Sequence, residues 1–382
     1  MNILFTVNTY KPHLDGVQFV TSYLAEGLAA RGHRVELITY AVKGAAEEET
    51  INGVHVIRRD VRTVHMRHLG DKKGYQSYIL SRQNEFDAII NIGTQSALTD
   101  WMLPIIKKIN VPTILHIHSI WDFKIRNTDK SSVPAFILKL AGNLRWGGYF
   151  LKNSGAFKKY SAVVQLHSKD YSVAKFKKWY GIESYILENA SDARFFEPCE
   201  KEPYIVNVSN YFPMKNQRKL IEIFSKSNIP DNWKLVLVGS EENDYCRSIK
   251  EYAQSLIGSE SEKRVKILTD ISRAETIDIV RRGSIFVSAS LREAFPISTI
   301  EAMAGKLPFL SYDVGIVKYL PGGLIARSDD EYINALEKLV HDRDYAEKLG
   351  SLGYQFAVEH CQIDNKVAEL EELIKKTGGK NT

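Results

Sequence analysis

Short apolar runs alternate with stretches of helical period along most of the chain, and this alternation predicts parallel sheets covered by helices. In the first half the predicted strands are Ile3–Val7, Val35–Tyr40, Val54–Ile57, Ala88–Ile92, Thr113–His118 and Ala162–Leu166. A helix is predicted over Val17–Arg31 and is closed by Gly32. Near Glu188–Cys199 the rhythm breaks into a polar, proline-bearing link, then restarts with Ile205–Val208, Leu235–Val238, Val265–Leu268, Ile285–Ser288 and Phe309–Ser311. Three helical stretches follow, Asp329–His341, Tyr345–Cys361 and Asn365–Lys376, before a tail, Thr377–Thr382, expected to fray. The pattern therefore predicts an α/β protein with two doubly wound domains, 1–195 and 196–360. The segment 361–382 is expected to form a C-terminal helix and tail that pack back toward the first domain.

One stretch breaks the monotony of strand and helix. In "LREAFPISTIEAMAGKLPFLSYDVG" two carboxylates, Glu293 and Glu301, flank a Phe-Pro step and a short apolar helix. Ser298 and Glu301 fit a capping box, and Gly305 is placed to end that helix in the left-handed conformation. A cap leaves Glu293 unexplained. A buried strand, an acid-bearing loop and a helix N-terminus in succession is also where open α/β sheets hold ligands, and free amides there suit a phosphate.

Composition narrows the class without naming it. With 382 residues, 44% of them apolar, the chain can bury two ordinary cores. No apolar run approaches the ~18 residues that span a bilayer, and the start reads as a buried strand rather than a leader peptide. Three dispersed cysteines, Cys199, Cys246 and Cys361, lack metal-ligand spacing and fit a reducing cytoplasm. No GxGxxG is present, which disfavours a nicotinamide enzyme of the usual kind. Asp342-Arg343-Asp344 resembles a metal-binding Asp-x-Asp but falls between predicted helices and is read as a cap. Net charge is +5 but uneven: residues 1–192 hold 25 Lys and Arg against 17 Asp and Glu. The span Asp122–Tyr180 is both basic and rich in aromatic residues. No nucleic-acid recognition motif accompanies it, so an anionic membrane surface is the expected partner, with an ordinary solvated helix face as the alternative.

Taken with this layout, Glu293-(seven residues)-Glu301 within "EAFPISTIEAMA" closely resembles the E-x7-E motif of the retaining glycosyltransferases of family 4. "NTYKPHLDGVQ" after the first strand and "ENASDARFF" at the domain junction are further points of likeness. The resemblance implies a GT-B fold, two Rossmann-like domains facing across a cleft, the first binding the acceptor and the second the nucleotide-sugar. It implies that Glu301 holds the ribose hydroxyls, that Glu293 faces the transferred sugar, and that the amides of Ile297, Ser298 and Thr299 receive the diphosphate. Lys215 in "SNYFPMKNQ" matches the lysine that stabilises the leaving diphosphate. The arginine five residues earlier is here Asn210, so Arg218 or another cation supplies the missing charge or diphosphate binding is weaker. His118 would face the donor sugar, and Gly16 would let backbone amides approach the donor, with Asp15 as a further acceptor contact. The reaction implied is a front-face displacement with retention, needing neither cofactor nor metal. Its acceptor would be a carbohydrate or a lipid-linked oligosaccharide in surface polysaccharide assembly, on the cytoplasmic face of a membrane. Two other readings are an epimerase or phosphorylase on the same fold, and an inactive subunit that binds sugar nucleotide.

Overall fold

Ile3, Leu4 and Phe5 are wholly buried on both faces of the first strand, β1 (Asn2–Thr6), as the interior of a doubly covered parallel sheet requires. The computed structural model describes residues 1–12, 15–64, 67–130 and 132–379. They form two units, residues 1–187 with 367 onward, and Glu188–Lys366.

In the first unit β1 is followed by α1 (Gly16–Ala30), β2 (Arg34–Tyr40), β3 (Glu48–Ile51) and β4 (Val54–Arg59). An antiparallel pair, β5 (Val61–Val64) and β6 (Arg67–Gly70), precedes α2 (Lys72–Arg82), β7 (Ala88–Ile92), α3 (Ala97–Met102) and β8 (Thr113–Ile117). Then come α4 (Val133–Lys152), α5 (Ser154–Phe157), β9 (Ala162–Gln165), α6 (Tyr171–Tyr180) and β10 (Tyr185–Ile186). The sheet order is β10-β9-β8-β7-β1-β2-β4-β3, parallel throughout except for β3. The winding reverses between β1 and β7, so the loops after those strands diverge at their carboxyl ends.

In the second unit the order of elements is β11 (Tyr204–Val208), α7 (Gln217–Lys226), β12 (Lys234–Val238), α8 (Asp244–Ile257), α9 (Ser261–Arg264), β13 (Val265–Leu268), α10 (Arg273–Arg282) and β14 (Ile285–Ser288). It continues through α11 (Ile297–Ala304), β15 (Phe309–Tyr312), β16 (Gly323–Ala326), α12 (Asp329–His341), α13 (Arg343–His360) and α14 (Ile363–Gly378). All six strands run parallel in the order β13-β12-β11-β14-β15-β16, and the reversal falls between β11 and β14. Each unit is thus a Rossmann-like sheet flanked by helices. At Val367 the chain returns to the first unit, where Val367 packs against Gly27 and Glu371 pairs with Arg31 and His33.

Every strand expected from the apolar runs is present; β3, β5, β6, β10 and β16 are not among them. Those are short or edge strands, most of them partly exposed; β16, Gly-Leu-Ile-Ala, is an apolar run but only four residues long. The expected fraying at Thr377 is overturned: α14 runs to Gly378, and Thr377 is buried with its hydroxyl donating to the Leu373 and Ile374 carbonyls. Lys380–Thr382 lie outside the described residues. Asp342 does cap α13, its carboxylate accepting from the Tyr345 amide at 3.0 Å.

The aromatic residues of Asp122–Tyr180 require a correction. None of the aromatic residues in this span is exposed. Phe150, Phe157, Phe176, Trp179 and Tyr180 interlock with Phe123 and Tyr149 as neighbouring ring pairs inside the first unit. Burying one such side chain contributes about 1.5–3 kcal/mol, so these rings are core, not a surface belt.

Candidate active site

The turn after β11 and the loop after β14 lie side by side, because the strands they leave are neighbours at the reversal point. The Leu291 amide donates to the Met214 carbonyl at 2.9 Å and joins the two. The single turn Pro213–Lys215 projects Lys215, whose Nζ meets Glu293 Oε1 at 2.6 Å. Both side chains are mostly covered, with 30% and 14% of their surfaces exposed, so the pair is more strongly coupled than a surface salt bridge. Gly315 lies beneath that loop. It has φ +52°, and a Cβ there would stand 2.4 Å from the Ala294 carbonyl oxygen.

Helix α11 follows at once. It begins at Ile297 with Pro296 as its N-cap and no capping side chain, so the capping box expected at Ser298 is not formed. Ser298 already lies inside the helix, and Glu301 is one turn in. Glu301 is 3% exposed and binds Arg273, the first residue of α10, through Oε1. The amides of Ile297 and Ser298 therefore lie at the uncapped positive end of the helix; Thr299 N donates to the Pro296 carbonyl at 3.2 Å. The other end also differs from expectation. Gly305 has φ −78°, and Lys306, at φ +59°, takes the left-handed position. Leu307 N to Ala302 O and Lys306 N to Met303 O, both 2.9 Å, complete a Schellman pattern one residue later than the glycine suggests.

Asn210 is exposed, and its carbonyl accepts from the buried Gln217 amide at 3.0 Å. The Arg218 guanidinium, the alternative cation, stacks on Tyr252 at 4.0 Å. The cation beside Glu301 is Arg273, which the sequence reading missed because it opens α10, with no motif linking it to Glu301. Asn189 of "ENASDARFF" was also unassigned. It donates to the Phe295 carbonyl at 2.9 Å and braces the Phe-Pro step ahead of α11.

His118 and Gly16 belong to the first unit. Gly16 opens α1 directly after the N-cap Asp15, whose carboxylate accepts from Gln18 N at 2.7 Å and from the Thr9 hydroxyl at 2.8 Å. His13 and Leu14 of the neighbouring motif lie outside the described residues. His118 follows β8, and its ring lies 4.5 Å from that of His116, as strand alternation predicts. Both nitrogens of His116 and Nε2 of His118 are shut off from water without a hydrogen-bond partner among the described residues. Burial pushes the His118 imidazole down to about 4, opposed by the negative charge of Asp15, and pushes His116 well below its ordinary value. Both rings are therefore neutral at neutral pH. The expected result of an NMR titration is a His118 midpoint near 4 instead of the ~6.5 of a free imidazole. Between those values the unfolded chain takes up a proton that the native one refuses. Stability is accordingly untouched by this group above ~6.5 and falls as pH drops through that window; a midpoint near 6.5 refutes the assignment.

A surface cavity of about 570 Å³ lies elsewhere in the second unit, lined by residues such as Phe224, Leu256 and Arg264. It contains none of the acids or amides described above, and no chemistry is assigned to it. Among the described residues no cluster of His, Cys, Asp and Glu could hold a metal ion.

The sequence matches the family described as Glycosyl transferases group 1 over residues 190–356 and the one described as Glycosyltransferase Family 4 over residues 14–166. The chain belongs to the glycosyltransferases of this group 1, family 4 type. Among curated relatives it is similar to the O-antigen chain mannosyltransferase RfbU of Salmonella typhimurium, 28% identical over 189 residues, 48% of this chain and 51% of that one. The chain spans about half the length of the curated relatives it matches first. Its fold is similar to that of sucrose-phosphate synthase from Thermosynechococcus elongatus, TM-score 0.76 at 16% identity, with 98% of each chain covered. Anabaena HepE in complex with UDP and glucose gives TM-score 0.71 at 15% identity over 98% of this chain and 100% of the other. WaaG, a glycosyltransferase involved in lipopolysaccharide biosynthesis, gives 0.68 at 17% over 97% and 99%. These likenesses establish the GT-B type of fold.

Proposed function

We propose that the protein is a retaining, metal-independent glycosyltransferase that moves a sugar from a nucleotide-sugar, a UDP-sugar in the simplest case, to an acceptor hydroxyl. The observation that carries this reading is the convergence at one reversal point of Lys215, Glu293, Glu301 and the uncapped amides of α11. Those amides and Lys215 offer positive charge to a diphosphate where a metal ion is otherwise needed. Glu301 keeps one carboxylate oxygen for a ribose diol while Arg273 holds the other, and Glu293 faces the sugar. The bond from the anomeric carbon to the diphosphate breaks, the acceptor oxygen bonds to the same face, and the acceptor proton passes to the leaving phosphate oxygen. The UDP complexes of HepE support the choice of nucleotide. The names of RfbU and WaaG favour a role in bacterial surface polysaccharide biosynthesis; the acceptor is proposed to be a carbohydrate or lipid-linked oligosaccharide met at the cytoplasmic face of a membrane.

Calorimetric titration with UDP, GDP and ADP tests the donor half. One nucleotide is expected to bind, and Glu301→Ala to weaken it about tenfold or more, since a charged hydrogen bond contributes roughly 1.5–3 kcal/mol. Unchanged affinity in the variant returns Glu301 to a purely structural pairing with Arg273.

A further inference from the structure

Arg273 stands where helix electrostatics disfavour it. It is the first residue of α10, whose free amides and positive dipole end attract anions and repel a guanidinium. Its backbone is fixed by a capping box: the Glu275 amide donates to Ser272 Oγ at 3.2 Å, and the Ser272 amide donates to the Glu275 carboxylate at 2.8 Å. Its side chain has a seat that offsets the dipole. The guanidinium lies over the wholly buried Phe195 ring, 5.1 Å from the centroid, and donates through Nη2 to Glu301 Oε1. Asp192 is near enough to feel it: the Asp192 carboxyl is held below its ordinary range by Arg194 first, against burial, and the positive charge of Arg273 adds to that. Asp192 and Phe195 belong to "ENASDARFF", and the single turn Ala193–Phe196 packs against both α10 and α11.

Glu301 is thereby gripped on one side only. It is 3% exposed, and among the described residues nothing bonds its second oxygen, Oε2. The terminal torsion of a glutamate is broad and roughly two-fold, so a carboxylate left to itself turns freely; a planar guanidinium seated on a ring face admits one orientation. The two helices do not depend on this pair for their placement, because Lys201 donates to the carbonyls of Arg281 and Gly305 and joins their other ends. We infer that Arg273 is a positioning residue: it fixes the Glu301 carboxylate so that Oε2 alone meets the ribose, and so sets how strongly the site prefers a nucleotide that carries the 2′,3′-diol. The inference rests on the proposed function, in which Glu301 holds that diol; Arg273 acts through Glu301. A fixed acceptor discriminates because a nucleotide without the diol leaves a buried carboxylate oxygen unpaired, whereas a mobile one turns and finds water.

The test is calorimetric titration of the whole protein with UDP and with 2′,3′-dideoxy-UDP. The parent is expected to bind UDP about tenfold more tightly or better, the fold-change of one lost charged hydrogen bond. Arg273→Met should bring that ratio below about twofold by weakening UDP alone, since the dideoxy nucleotide never used Glu301. With Glu301→Ala already in place, Arg273→Met should change neither affinity further. Arg273→Lys keeps the charge without the planar fork, so it should stay folded and give an intermediate ratio of about fivefold. Equal weakening of both nucleotides by Arg273→Met marks a purely structural pair and overturns the inference, as does an unchanged ratio. A lysine variant as selective as the parent overturns it even where the methionine variant does not fold. In each of these cases the transferase reading stands as long as UDP binds and Glu301→Ala weakens it. A parent that binds the two nucleotides alike takes Glu301 off the ribose and overturns the inference too; a parent that binds neither removes the proposed function along with it.

Discussion

Lys215→Met is expected to slow release of the nucleoside diphosphate from the donor by roughly a hundredfold to a thousandfold, the usual effect of removing one group that stabilises charge in a transition state. The loss should fall on the rate more than on donor affinity, because the diphosphate gains negative charge as its bond to the sugar breaks. Glu293→Gln should cost a similar factor. The informative variant is the pair. Lys215 and Glu293 stand 2.6 Å apart and partly covered, so each single change strands the other charge. The double variant is then expected to be hardly worse than the poorer single one, as groups acting as a unit are not additive. Single-turnover kinetics of the three proteins with a UDP-sugar decide the matter. Strict additivity would mean that the two act on different steps and that their contact is incidental.

Gly315→Ala should have the second large effect, and on stability first. At φ +52° a side chain is strained, and the new methyl group would press on the Ala294 carbonyl from 2.4 Å, a distance no backbone tolerates. Ile316 N also bonds to that carbonyl at 3.1 Å, so the loop cannot simply swing away. A loss of roughly 2–4 kcal/mol is expected, with a melting temperature lower by about 5–10 °C. Glu293 precedes Ala294, so the shift displaces its carboxylate from Lys215 and activity falls even well below the melting range. A variant that melts and turns over like the parent would show that the Glu293 loop is not built on this glycine.

The frame of both units was legible because their strands are buried on two faces and appear as unbroken apolar runs. The β5–β6 pair, which escaped, is largely exposed and carries no such run, while β16 is apolar but only four residues long. The acids at 293 and 301 were visible through their place at a strand–loop–helix turn and their resemblance to the E-x7-E motif. Their partners were not equally so. Lys215 was marked by the likeness of "SNYFPMKNQ" to the family's lysine-bearing stretch, but Arg273 reaches Glu301 from an element with no fixed sequence relation to it. The supposed cap at Ser298 failed for a local reason: Pro296, extended at φ −70° and ψ 119°, already starts the helix before the serine can. The membrane argument from aromatic content was misleading in a similar way. Large rings close together are more readily a core than a surface, and the exposed face proved to be plain leucine, isoleucine and valine on α4.

The path of the chain has a consequence for recombination. The second unit is one continuous segment, Glu188–Lys366, whereas the first is completed by the residues after Val367. A gene crossover at 188 alone would fuse a foreign C-terminal helix onto α1, where Gly27 leaves room shaped for Val367 and Arg31 and His33 await Glu371. Two crossovers, at 188 and 367, exchange the whole unit and leave that joint intact. Chimeras between relatives of different donor preference should therefore fold when cut twice and fail when cut once.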